Sequence, residues 1–151
     1  MQIEFRVDGC PELIARLAAL GGDVEKAVEQ GLSDGAKAVQ HSAKKLCPVD
    51  TGALRNSIVT QKEAARTVSI GTNMEYAICV EFGTGQKGDP AVEHTIKEKW
   101  VYRDDRGQFH TSHGQRPQPF LTPALRLSEN RVQKRFRSAI QKAIRERSTG
   151  K

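Results

Sequence analysis

The chain has 151 residues, 37% of them apolar and 28% charged, and a formal net charge of +6. That is the length of a single domain with much surface relative to core, and aromatics at only 5% leave Ala, Leu, Ile and Val to build the core. No apolar run approaches the ~20 residues of a membrane span, and no basic-then-apolar signal pattern opens the sequence, so a soluble protein with neither membrane insertion nor secretion is expected.

The first element is a strand. In "MQIEFRV", Ile3, Phe5 and Val7 alternate with Gln2, Glu4 and Arg6, which describes a half-buried strand. Pro11 suits the first turn of a helix over 11–20, stopped by Gly21 and Gly22. Asp23 reads as the cap of a long helix. Its Val24, Ala27, Val28, Leu32, Ala36, Val39, Ala43 and Leu46 recur at spacings of three and four, and Pro48 ends it.

Strands are expected at 57–62 and 66–71, joined by a short turn. The stretch "MEYAICVEFGTG" fits either a strand or a short helix in which Tyr76, Val80 and Gly83 share a face. A polar, glycine-rich loop follows, and then "KWVYRDDRGQFHT", a hairpin candidate with Trp100 and Tyr102 on one face, a turn at Asp105-Arg106-Gly107 and Phe109 on the returning strand. Leu125, Val132, Phe136, Ile140, Ala143 and Ile144 mark a last helix. The expected fold is one α+β domain over 1–151: a small antiparallel sheet packed with a long helix from the N-terminal half and a basic C-terminal helix. Mobile loops are expected at about 83–99 and 104–118.

Cys10, Cys47 and Cys79 are odd in number and widely spaced, which predicts free, buried thiols rather than a disulfide framework. His110 and His113 lie three apart in a polar, turn-like stretch without a cysteine pair, so two solvated histidines are favoured over a zinc site. No metal or other cofactor is expected.

Three motifs invite a chemical reading. Asp50-Thr51-Gly52 is the tripeptide that carries the catalytic carboxylate of aspartic proteases, which would require a dimer so that two carboxylates share a proton. Here the triplet follows an amphipathic helix rather than an apolar strand, so Asp50 or Thr51 is read as the cap of a new turn, with Leu54 and Ile58 on its buried side. Gly83, Gly85 and Gly88 match the G-x-G-x-x-G of dinucleotide sites, but no helical pattern follows Asp89-Pro90 and the match is read as coincidence. The third motif is electrostatic. Residues 121–151 hold nine bases and two acids, a surplus of +7, against −1 over the first 120 residues. Arg131, Lys134, Arg135, Arg137, Lys142 and Arg145 therefore make a candidate face for a polyanion or an acidic partner, although a solvated helix surface is the default reading. With no recognition motif beside it, only backbone-level contact with nucleic acid is expected.

In order, "CPVDTGALRNSI", "VSIGTNMEYAICVEFGTG", "KWVYRDDRGQFHTSHGQRPQPFLTPAL" and the charged helix resemble the tailed-bacteriophage neck and tail-completion family, over about residues 24–145. Asp50, Thr51, Gly52, Leu54, Ser57 and Ile58 occupy the first motif. Tyr76, Ala77, Glu81, Phe82, Gly83 and Thr84 occupy the second, and Pro119, Phe120, Leu121, Pro123 and Ala124 the third, where "RPQPF" carries one extra polar residue. The resemblance implies that the triplet opens a short helix without catalytic work, and that the protein is a structural, non-enzymatic ring subunit at the head-to-tail interface. The implied partners are copies of itself (a ring of six or twelve), portal-side or tail-tube proteins and packaged DNA, in a virion assembled in the host cytoplasm. A non-specific nucleic-acid-binding protein is the alternative, with a dimeric protease far behind.

Overall fold

A computed structural model of the chain describes residues 1–6, 19, 22–64, 67–93, 98–103 and 106–149. The short helix expected over 11–20 lies almost wholly outside these residues, as do Val7 and Cys10. In chain order the elements are β1 (Gln2–Arg6), α1 (Gly22–Leu46), α2 (Ala53–Ser57), β2 (Val59–Ala64), β3 (Thr67–Gly71), α3 (Ala77–Phe82), a 3-10 turn (Gly85–Lys87), β4 (Trp100–Arg103), β5 (Phe109–Ser112) and α4 (Leu121–Thr149). The fold is α+β, as the sequence predicts.

β3 is the centre of a three-stranded antiparallel sheet in the order β1-β3-β2. Its β-branched Val68 and Ile70 are buried, at 7% and 0% exposure. They meet Leu32, Ala36, Val39 and Ala43 of the α1 stripe in one core, together with Cys47, Leu54, Ile58, Ala77, Phe120, Leu121 and Ala124. The stripe departs from expectation at its end. Leu46 is exposed, and Cys47, held by its N–H to the Ala43 carbonyl at 2.8 Å, turns inward in its place.

The second face of α1 packs along α4, and the two helices run antiparallel. Two glycines set their separation. A β-carbon on Gly35 would come within 2.9 Å of Val132 Cγ1, and one on Gly31 within 3.2 Å of the Phe136 Cα. Small residues let two helix backbones approach this closely, and the gain is dense packing along the seam. Ser42 Oγ and Ser128 Oγ are 2.9 Å apart across the same seam, so the buried Ser128 hydroxyl is satisfied.

β4 and β5 form a separate two-stranded hairpin in the register Trp100↔Ser112 to Arg103↔Phe109. The 104–118 stretch read as a loop thus contains a strand. Within the 83–99 stretch, the described residues hold the 3-10 turn and a turn in which the Asp89 carboxylate accepts the Ala91 N–H at 2.9 Å.

Candidate functional site

The Asp-Thr-Gly triplet opens α2, but not as a side-chain cap. Gly52 is the N-cap residue, in the left-handed region at φ 83°, and no side chain caps the helix. Thr51 Oγ1 accepts only the Ala53 N–H, at 3.3 Å, while Asp50 is exposed and forms no side-chain hydrogen bond to a described residue. The capping role expected for Asp50 is thereby corrected. A left-handed N-cap needs glycine more than it needs an acid. Leu54 and Ile58 are buried as predicted, and Ser57 links the far end to Thr72, Oγ to Oγ1 at 2.6 Å.

The second motif supplies the main polar feature of the interior. Glu81, near the C-terminus of α3, is only 2% exposed. One carboxylate oxygen, Oε2, accepts the N–H of Phe120 at 2.7 Å and of Leu121 at 3.0 Å, and Oε1 accepts that of Thr122 at 2.8 Å. These are the donors a helix start leaves without internal partners, and Pro123, next in line, has no N–H to satisfy. A carboxylate there also meets the positive end of the helix dipole, and hydrogen bonds to an ionised acceptor are the stronger kind. A residue some forty positions upstream thus caps α4. With its backbone held, Phe120 and Leu121 insert into the core at 0% and 1% exposure.

Gly83 and Thr84 extend the same junction. Thr84 and Gln115 exchange both backbone hydrogen bonds, at 2.9 and 3.1 Å, and the Gln118 N–H reaches the Val80 carbonyl at 2.8 Å. Gly83, at φ 75°, admits this strap, since a β-carbon there would lie 2.5 Å from the Gln115 carbonyl oxygen. The Thr84 backbone lies as close to Gly114 at the start of the strap, where a β-carbon would collide with the Thr84 carbonyl oxygen. Of the glycines of the G-x-G-x-x-G match, Gly83 closes α3, Gly85 opens the 3-10 turn and Gly88 closes it, which is not the strand-to-helix setting a pyrophosphate requires.

The three motifs converge on one open cleft of about 370 Å³. Residues 48–54 form one wall, Tyr76 and Val80 another, and Gln115 with Gln118 the third. Val49 and Tyr76 at its rim are 55% and 47% exposed. Among the described residues, no three His, Cys, Asp or Glu side chains come together in a way that could hold a metal ion, and the His110 ring stacks on Tyr102 at 5.5 Å.

The other sequence-predicted site residues lie apart from the cleft. Arg131, Lys134, Arg135, Arg137, Lys142 and Arg145 are all exposed on α4, whose 29 residues span about 43 Å. Lys142 has a loose pairing with Glu146 at 3.8 Å, both side chains well exposed, and such pairs contribute little. Pro119 is exposed beside the buried Phe120. Cys47 is buried, whereas Cys79 is exposed, against the expectation of buried thiols.

Residues 11–83 match the family model described as "Bacteriophage HK97-gp10, putative tail-component". The match agrees with the phage resemblance carried by the motifs, and a structural virion protein of the tail or neck is what that family suggests. No curated protein and no solved structure matches. The matched stretch contains the first motif and the second as far as Gly83. The third motif lies beyond it and is joined to it by Glu81. No helix among the described residues is long and apolar enough to cross a membrane.

Proposed function

We propose that this protein is a non-enzymatic ring subunit at the phage head-to-tail interface, completing the neck or tail end so that tails join filled heads. The observation that carries the reading is the tail-component match over residues 11–83, with its two motifs locked to a third by Glu81. The site fits structural work. Its buried carboxylate is fully engaged in backbone bonds, and Asp50 sits at a helix start rather than in a paired carboxylate site. The chain acts as one domain that packs against sister copies, in a ring of six or twelve, and against portal-side or tail-tube neighbours.

A nonsense mutation in the gene of a propagating phage should leave filled heads and separate tails in negative-stain micrographs, with joining restored by the wild-type gene. Normal particles from the mutant would overturn the reading. The basic face of α4 supports a second element of it, contact with packaged DNA. Duplex binding should then fall steeply between low and moderate salt, as counterion release requires, and a flat salt dependence would remove DNA from the list of partners.

A further inference from the structure

The β4–β5 hairpin packs appreciably on no other described element. Its register sets Val101, Arg103, Phe109 and Thr111 on one face, and that face is bare: Val101 is 62% exposed and Phe109 75%. Arg103 lies over the Phe109 ring, with 5.9 Å from its guanidinium carbon to the ring centroid, and its Nε donates to the Gly107 carbonyl at 3.1 Å. A two-stranded hairpin is marginal in water, and one that exposes an aromatic ring beneath a cation gains stability from a surface that covers it.

The cleft where the motifs converge has the complementary chemistry. It offers apolar wall from Val49, Tyr76 and Val80, and at its edge the exposed carboxylate of Asp50 has no side-chain partner among the described residues. Gln115 and Gln118, which line it, belong to the strap that leads from β5 into α4. The hairpin therefore starts from the rim of its own cleft yet does not fill it.

We propose that the hairpin docks into this cleft on a second copy of the chain, Phe109 entering between Val49 and Tyr76 and Arg103 pairing with Asp50. Arm and cleft are different surfaces, so the contact is head-to-tail and repeats from copy to copy, as a ring needs. The inference rests on the ring-subunit reading and adds the contact that builds the ring.

The test replaces Phe109 with the photo-crosslinking residue p-benzoyl-phenylalanine, which keeps an aromatic ring at the position. Unlabelled and nitrogen-15-labelled copies are mixed at high concentration and irradiated, and the same variant is irradiated in infected cells. The expected products join position 109 of one copy to residues 48–54 or 76–80 of another. Arg103→Glu or Asp50→Lys alone should lower the yield by roughly tenfold or more, and combining them should restore it, because like charges at an interface are costly. Crosslinks confined to one chain, joining 109 to 109, landing on α4 or on another phage protein, or absent from both samples, would overturn the docking. Loss of the protein from purified virions would instead overturn the neck reading, and the mixed-label result would still decide the contact.

Discussion

The α1–α4 seam and the β4–β5 hairpin are opposites in the same chain. Along the seam, glycines bring two backbones together, serines satisfy each other, and Val132 and Phe136 pack against the main core. The hairpin carries comparably apolar residues, Val101, Tyr102 and Phe109, and leaves them exposed. Stability should therefore reside in the seam and its anchor, while the hairpin should matter only when copies meet. Changes in the two regions separate those roles.

The anchor should give the largest effect. Glu81→Ala leaves three N–H groups at the start of α4 without their acceptor and opens a cavity, so a loss on the order of 3 kcal/mol or more is expected in urea denaturation. Glu81→Gln retains one acceptor oxygen but presents an NH2 to a site built of donors, and should lose roughly 1–2 kcal/mol. Phe120→Ala should cost about 3–5 kcal/mol, since Phe120 is wholly inside the subunit's own core. Near-native stability in all three would mean that α4 does not depend on this anchor.

Next comes the seam itself. Gly35→Leu drives a side chain into Val132 and should cost about 1–3 kcal/mol despite the better helix propensity of leucine. Gly35→Ala sets a propensity gain of about 1 kcal/mol against a 2.9 Å contact with a side chain that can give way, and should be close to neutral. A Gly35→Leu protein as stable as wild type would show that the helices can part at no cost.

Much of this contrast was legible in the residues, and some was not. The strand over 2–6, the long helix to Leu46, the hairpin and the basic helix follow from periodicity and turn chemistry. The role of Glu81 does not, because a cap supplied from about forty residues away has no local spacing to betray it. Its only sequence trace is an acid in an otherwise apolar "AICVEF". Gly31 and Gly35 did leave a signal, their four-residue spacing inside an amphipathic helix. Helical glycine is ordinarily counted as a propensity cost rather than as an invitation to close packing. Asp50 was misread for the converse reason: an acid before a short helix suggests a cap, but the left-handed Gly52 occupies that position.

The hairpin and Asp50 should show small effects on the isolated subunit. Phe109→Ser and Asp50→Ala should each change unfolding free energy by no more than about 0.5 kcal/mol, as exposed positions do. Assembly should respond instead, with mutant phage failing to join heads to tails although the subunit is folded. A large loss of monomer stability in Phe109→Ser would mean the ring packs on its own chain, and the contrast between the two regions would be lost.

The two described cysteines sharpen the same contrast at its smallest scale. Cys79 is exposed on α3, and Cys47 is buried where α1 meets the core. Burial pushes the Cys47 thiol above its ordinary range, opposed by nearby Arg55 and assisted by Glu81. Alkylation of native protein, mapped by mass spectrometry, should therefore modify Cys79 at least about tenfold faster than Cys47, which becomes reachable only when the core opens. The raised value also fixes a sign. The folded state keeps the Cys47 proton to higher pH than the unfolded chain does. Its contribution to stability is thus complete below the unfolded thiol value of about 8.5 and is lost as pH rises through the folded one. Cys47→Ala should flatten the decline in stability above about pH 8.5 relative to wild type, after allowance for the cavity it leaves. An unchanged slope, or equal alkylation of both thiols, would place Cys47 in contact with water and the end of α1 outside the packed half of the molecule.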